Sequence, residues 1–286
     1  PSAHAIEREF AVMKGLHGTD VPVAEMHVLC DDESVIGRAF YVMEFVQGRV
    51  LWDQSLPGMT PAERGAIYDE MNRVMAALHK VDVAKQGLSS YGKPGNYIER
   101  QIGRWSKQYA ASITLPIPEM DQLIEWLPKN IPASAQDDSL VGIVHGDYRL
   151  DNLMFHPTEA RVLAVLDWEL STLGHPLADF SYHCMAWHIS PGTFRGIGGL
   201  DLAALGIPSE AEYIRRYCDR TGFTTPEALA KDWNFYLAYN MFRIAAILQG
   251  IAKRVEDGTA SSDQAKASGA GARPMAELAW RFACQA

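Results

Sequence analysis

Apolar positions along the first half of the chain alternate between two periods. In "SAHAIEREFAVMKGLHG" they recur at Ile6, Phe10, Met13 and Leu16, the spacing of one helix face, with Ser2 placed to cap the start and Gly18 to stop the helix. "VPVAEMHVLC" and "RAFYVMEFV" are rich in β-branched and aromatic residues instead, and they predict two strands around the polar turn "DDES". The helical period returns after "VQGR". Thr60-Pro61-Ala62-Glu63 is a capping box with proline at the first helical position. It predicts a helix that turns Ile67, Met71, Val74 and Leu78 inward. "NYIERQIGRWSKQYA" places Ile98, Ile102, Trp105 and Tyr109 on one face, with Arg100 and Arg104 on another. "PEMDQLIEWLP" predicts a short helix closed by Pro128.

A β interlude follows. "LVGIVHGD" reads as a strand running into a loop, and "NLMFHP" and "RVLAVLD" as short strands joined by "PTEA". From "GHPLADFSYHCMAWH", a buried-looking helix, the chain stays helical. Ser209 to Glu212 is a second capping box, and Thr225-Pro226-Glu227 opens a long apolar helix. The small-residue stretch 257–274, "DGTASSDQAKASGAGARP", predicts a mobile loop before the last helix. The class is α+β. A partial N-terminal lobe spans 1–46, with a hinge near 43–48, and residues 47–286 form a large, mostly helical lobe carrying a small β insert.

Composition narrows the partners. The 286 residues are 48% hydrophobic and 21% charged, an ordinary soluble globular balance. A net charge of −9 argues against a general nucleic-acid or membrane-surface binder, and no apolar run approaches the roughly 20 residues of a membrane span. Cys30, Cys184, Cys218 and Cys284 are scattered without a CxxC. That pattern predicts reduced thiols in a cytoplasmic protein. The chain opens Pro1-Ser2 with no Met, so the expectation is a start downstream of the natural initiator.

The candidate chemistry lies in "HGDYRLDN" (145–152) and "VLDWE" (165–169). Phosphoryl transfer to a hydroxyl needs a carboxylate to orient the hydroxyl and take its proton, and oxygen ligands for Mg²⁺. Asp147 is the candidate base. Asn152 supplies a neutral carbonyl oxygen to the metal and Asp167 an anionic one; the neutral ligand limits repulsion between acids in one small site. The order acid, four residues, Asn, then strand and Asp follows the kinase catalytic-loop pattern, with Gly146 in place of its Arg. His145 is expected to brace the loop, Asp151 to face solvent or cap a turn, and Asp179 to accept backbone N–H groups near the loop.

"VHGDYRLDNLMF" followed by "VLAVLDWELSTLGHPLADF" resembles the catalytic and metal-binding block of the aminoglycoside phosphotransferase and choline kinase-like small-molecule kinases. "PGNYIERQIGRWSKQY" resembles the branch that also occurs fused to acyl-CoA dehydrogenases, although nothing in this chain suggests a dehydrogenase or flavin site. The resemblance implies a protein kinase-like bilobal fold with a truncated N-lobe, and ATP and Mg²⁺ as cofactors. It implies that Glu9 occupies the place of the helix glutamate that pairs with an ATP-contacting lysine. It also implies that Met43 sits behind the adenine, with the carbonyl of Glu44 and the N–H of Val46 at its edge. The family's phosphate-covering turn and strand lysine do not precede Glu9 here. No GxxxxGK[ST] occurs, "RGIGGL" reads as a loop, and Lys14 lies on the glutamate helix itself. The expectation is therefore a fragment of a working kinase.

The acceptor pocket is expected between the catalytic loop and the helical lobe. Trp105, Tyr109, Trp187 and His188 are its candidate lining, and Arg100 or Arg104 its candidate anion contact. A hydroxyacyl compound of CoA type ranks narrowly ahead of an aminoglycoside or amino alcohol. A homodimer is a further partner state open to it. Two rival classes stand beside the kinase: a non-catalytic pseudokinase, and a metal-dependent hydrolase using His145 or His175 as ligands.

Overall fold

The computed structural model describes residues 6–137 and 139–286, so the expected cap at Ser2 lies outside the described residues. In chain order the helices are α1 (Ile6–Leu16), α2 (Pro61–His79), α3 (Tyr97–Ala110), α4 (Pro118–Trp126), α5 (Pro176–Cys184), α6 (Leu202–Leu205), α7 (Glu210–Thr221), α8 (Pro226–Glu256), α9 (Asp263–Ala270) and α10 (Ala272–Ala283). The strands are β1 (Met26–Cys30), β2 (Phe40–Met43), β3 (Arg49–Val50), β4 (Gly142–Val144), β5 (Leu153–Phe155), β6 (Val162–Val165) and β7 (Thr172–Gly174). The chain divides into two units. One holds Pro1–Pro94, Leu140–Asp179 and Leu200–Thr225; the other holds Gly95–Ser139, Phe180–Gly199 and Pro226–Ala286. The division falls inside α5, between Asp179 and Phe180.

In the first unit, β1 and β2 pair antiparallel with a bulge between Met26 and Val28, and α1 packs on both strands. The β insert is real. β5 and β6 form the hairpin expected from "NLMFHP" and "RVLAVLD", and β3 adds to its outer edge. β4 pairs antiparallel with β7, which no pattern in the sequence announced.

Helix α2 runs through the middle of this unit, against α7, β4 and β6. Its start is the expected capping box: Thr60 Oγ1 accepts the Glu63 N–H, and Glu63 reaches back to the Thr60 N–H at 2.7 Å. The predicted inward face is buried, with Ile67, Met71, Val74 and Leu78 at most 1% exposed. Tyr68 meets Tyr213 of α7 edge-on at 6.3 Å, and Asn72 donates to the Tyr213 carbonyl at 2.9 Å. A second capping box, at Ser209 and Glu212, starts α7 as expected.

The second unit is a helical assembly around the 31-residue α8, which packs against α3, α4, α9 and α10. The predicted face of α3 is buried at Ile98, Ile102, Trp105 and Tyr109. The expected mobile loop at 257–274 is corrected: it contains α9 and the start of α10. Ser262 caps α9 by accepting the Ala265 N–H at 3.1 Å. Small residues here permit close approach, since a Cβ on Gly269 would stand 2.9 Å from Ala252 Cα of α8. Among the described residues no helix is long and apolar enough to cross a membrane.

Thr60→Ala should lower stability by about 1 kcal/mol, because it removes the cap and frees Glu63. Urea denaturation would show this as a lower midpoint with an unchanged slope.

Candidate active site

The candidate catalytic loop leaves β4 at His145. Gly146 has φ +81°, and a Cβ there would stand 2.9 Å from the Leu170 carbonyl oxygen. The turn therefore needs glycine where the kinase pattern carries arginine. Asp179, in the first turn of α5, closes the loop from beneath. Its Oδ2 accepts the His145 N–H at 2.7 Å and its Oδ1 the Gly146 N–H at 2.9 Å. His79 Nε2 lies 3.2 Å from Oδ2, and its Nδ1 meets the Tyr217 hydroxyl at 2.6 Å. All of these groups are buried. Burial by itself would push the Asp179 carboxyl up. The hydrogen bond and charge of His79, with the charge and backbone N–H of His145, outweigh burial and hold it below the ordinary carboxylate value.

His145 braces the loop with both ring nitrogens. Nδ1 accepts the Asp147 N–H at 3.2 Å, and Nε2 lies 2.8 Å from the Leu166 carbonyl. The Leu166 N–H in turn donates to the Asn152 carbonyl at 2.8 Å. Leu166 is thus held on both sides by the catalytic loop, and Asp167 is the next residue. Asp167 adopts φ 62° and ψ 63°, a left-handed conformation that Asp tolerates better than most residues. Trp168 behind it is 1% exposed, lies tilted against the His145 ring at 5.0 Å and donates to the Val165 carbonyl.

Around Asp147 the groups are charged. Asn152 Nδ2 donates to the Asp147 backbone carbonyl at 2.8 Å and to its Oδ2 at 3.2 Å. Arg149 Nη2 lies 3.2 Å from the same Oδ2 and 3.4 Å from Asp151 Oδ2. Asp151, expected to face solvent or cap a turn, is buried instead. A 3-10 turn at Leu150–Asn152 tucks it inward, and its charge is met by Arg149.

Glu9, Met43, Glu44, Val46 and Asp167 line one cavity of about 210 Å³, with Met13, Ala24, Met154 and Val165 supplying apolar wall. Tyr41, also in the lining, donates to Glu9 Oε2 at 3.2 Å. Burial first, then the Glu9 and Asp167 charges, push the Tyr41 hydroxyl up to about 12. The Glu44 N–H is taken by the Glu25 carbonyl at 2.8 Å. Arg8, beside Glu9 on α1, donates to the Tyr91 carbonyl at 2.7 Å and the Ser171 carbonyl at 3.1 Å, and stacks 4.5 Å over the Tyr91 ring. It ties the glutamate helix to the segment that follows Asp167.

Arg104, Trp105, Tyr109, Trp187 and His188 all belong to the second unit. Tyr109 is core there, 1% exposed, its hydroxyl accepting the Ile117 N–H. Trp187 is buried beside His183, and His188 meets Phe282 edge-on at 5.0 Å. Arg104 lies over the Trp105 ring at 5.2 Å. Arg243, buried and unanticipated from the sequence, lies over the same ring at 5.6 Å and over Tyr182 at 4.9 Å.

The model of the phosphotransferase enzyme family matches residues 1–230. The chain belongs to that family. A crystal structure from Ralstonia eutropha JMP134, assigned provisionally as an aminoglycoside phosphotransferase, is 69% identical with a TM-score of 0.93, over 98% of this chain and 84% of that one. Mouse acyl-CoA dehydrogenase family member 10 is 50% identical over 99% of this chain. The chain spans 26% of that protein, and about a third of the other curated relatives it matches. An ADP-bound aminoglycoside phosphotransferase has a TM-score of 0.56 at 15% identity, covering 97% of this chain and 82% of that one. The fold of the chain is therefore protein kinase-like, with a mostly helical C-terminal part.

The donors present suit a hard cation. Asn152 spends its amide nitrogen on Asp147, so its side-chain oxygen is the donor left for a metal, and Asp167 is an exposed acid. Two protein oxygens are enough for Mg²⁺, which keeps several waters. Of the two histidines that the hydrolase alternative invokes, His145 has both ring nitrogens engaged in hydrogen bonds, and His175 is buried.

Asp179→Asn should destabilise the protein by roughly 3–5 kcal/mol at neutral pH, since it removes a buried charge from His79 and two backbone donors. A depressed carboxyl contributes stability above its unfolded value near ~3.9, and the contribution is lost as pH falls through its lower folded value. Denaturation midpoints measured from pH 7 to 2 should accordingly show a shallower acid limb in the variant.

Proposed function

We propose that the protein is an ATP-dependent phosphotransferase that phosphorylates a hydroxyl of a small molecule. The observation that carries this reading is the convergence of two groups of residues. Glu9, Met43, Glu44, Val46 and Asp167 share one cavity, and Leu166 ties Asp167 to the loop bearing Asp147 and Asn152. Asp147 orients the acceptor hydroxyl and takes its proton as the bond to phosphorus forms. Asn152 and Asp167 would hold Mg²⁺, which would supply charge neutralisation for the phosphates. The cavity wall takes the adenine between Met43 and its apolar neighbours, with the hinge backbone at Glu44 and Val46 reading its edge. Support for a nucleotide comes from the ADP held by a relative of the same fold.

For the acceptor, a hydroxyacyl compound of CoA type ranks first. The half-identical mouse relative carries an acyl-CoA dehydrogenase name. An aminoglycoside or amino-alcohol acceptor is the second reading, favoured by the description of the Ralstonia relative and by the net charge of −9. A non-catalytic pseudokinase is the third. The intact acid–amide–acid set of Asp147, Asn152 and Asp167 opposes it. A cytoplasmic setting suits these acceptors.

ATP consumption screened against hydroxyacyl-CoAs, amino alcohols and aminoglycosides distinguishes the acceptors. Asp147→Ala and Asp167→Ala should each lower phosphorylation by at least about 100-fold. Asp167→Ala should also weaken Mg·ATP binding by calorimetry, whereas Asp147→Ala should not. Full activity in the Asp147→Ala protein would overturn the mechanism.

A further inference from the structure

We propose that Arg149 is a positioning residue for the Asp147 carboxylate, with buried Asp151 as its anchor. The inference rests on the reading of Asp147 as the base. Arg149 Nη2 spans two acids, 3.2 Å from Asp147 Oδ2 and 3.4 Å from Asp151 Oδ2. The two acids differ in burial. The Asp151 side chain is 3% exposed, whereas Asp147 and Arg149 are 17% and 21% exposed. An ion pair with a buried carboxylate is little screened by water or salt. Asp151 therefore holds the guanidinium in place, and the guanidinium presents its charge to the more open acid.

A second donor reaches the same oxygen. Asn152 Nδ2 lies 3.2 Å from Asp147 Oδ2. With an arginine and an amide both on Oδ2, the plane of the carboxylate is set from two directions before any acceptor arrives. The Arg149 Nε is buried without a partner, so the guanidinium is aimed through Nη2. Lysine would keep the charge but would lack the planar fork, and its flexible stem would not hold one group between two acids. Arg149 also lies two residues beyond the base on the loop that Asp179 pins. Its effect is on the geometry of Asp147 rather than on the nucleotide cavity, whose lining does not include it.

The test compares Arg149→Met, Arg149→Lys and Asp151→Asn in the purified protein, with Asp147→Ala as control. Turnover is read with the hydroxyacyl-CoA, amino alcohol or aminoglycoside that supports most ATP consumption, and nucleotide binding is read by calorimetry with Mg·AMP-PNP. Misorienting a base is expected to lower kcat by about 100-fold in Arg149→Met. Acceptor KM and Mg·AMP-PNP affinity should stay within about threefold, and Arg149→Lys should recover part of the rate. Near-normal kcat in Arg149→Met, with Asp147→Ala inactive, overturns the role of Arg149 and leaves the base in place. An active Asp147→Ala protein overturns the base assignment and this proposal with it. A loss of Mg·AMP-PNP binding and of the denaturation midpoint in proportion to turnover assigns Arg149 to structure alone and also overturns the proposal. Nitrogen-15 NMR of the arginine side chains tests the anchor without turnover. The Arg149 Nη signals should be resolved by restricted rotation and should collapse in Asp151→Asn; averaged signals in the unsubstituted protein contradict the anchor.

Discussion

One buried carboxylate holds the candidate site together. Asp179 accepts two consecutive backbone N–H groups of the candidate catalytic loop and meets a ring nitrogen of His79. A lone buried carboxylate would be expelled from such a place or neutralised. Here every donor needs it as much as it needs them. His145 and Gly146 would have orphaned amides without it, and His79 would lose the partner that orients its other nitrogen towards Tyr217 of α7. The interaction ties α2, α7, β4 and the start of α5 to one point. It also decides the loop's residues: with Gly146 at positive φ and pressed against Leu170, a larger side chain has no space.

From that point order passes outward in steps. His145 takes the Asp147 amide on one nitrogen and the Leu166 carbonyl on the other, and Asn152 takes the Leu166 amide. The consequence is that the backbone just before Asp167 is tied to the loop bearing Asp147. Preorganisation of this kind is what phosphoryl transfer asks of a protein, because positioning and charge do most of the work. Arg8 extends the same order to the glutamate helix. Its guanidinium fixes α1, the helix that carries Glu9, against the segment that follows Asp167.

Family membership and the kinase-like fold leave the acceptor open, since one fold serves many acceptors. The residues that sequence reasoning singled out for the acceptor all lie in the second unit. There Trp105 is overlaid by Arg104 and by buried Arg243, a cationic and aromatic group that differs in character from the acids of the catalytic loop. Arg243 was missed because, within an otherwise apolar stretch of α8, an arginine reads as a residue directed to solvent.

The sequence by itself determined the elements whose causes are local. Capping boxes at Thr60 and Ser209, the inward faces of α2 and α3 and the β5–β6 hairpin depend on residues a few positions apart, and the acid–amide–acid pattern of Asp147, Asn152 and Asp167 lies within one short stretch of chain. The small-residue run at 257–274 misled because composition alone does not reveal that Gly269 packs against Ala252. Tertiary structure decided how the charges pair. His79 and Asp179 are 100 positions apart and Arg8 and Ser171 are 163 apart. The burial that turns Asp151 from a solvent-facing acid into the partner of Arg149 exists only once the 3-10 turn is folded against its neighbours. Hydrophobic period and caps are properties of neighbours in sequence, whereas the worth of a charge depends on the water removed around it, and that is set by the whole fold.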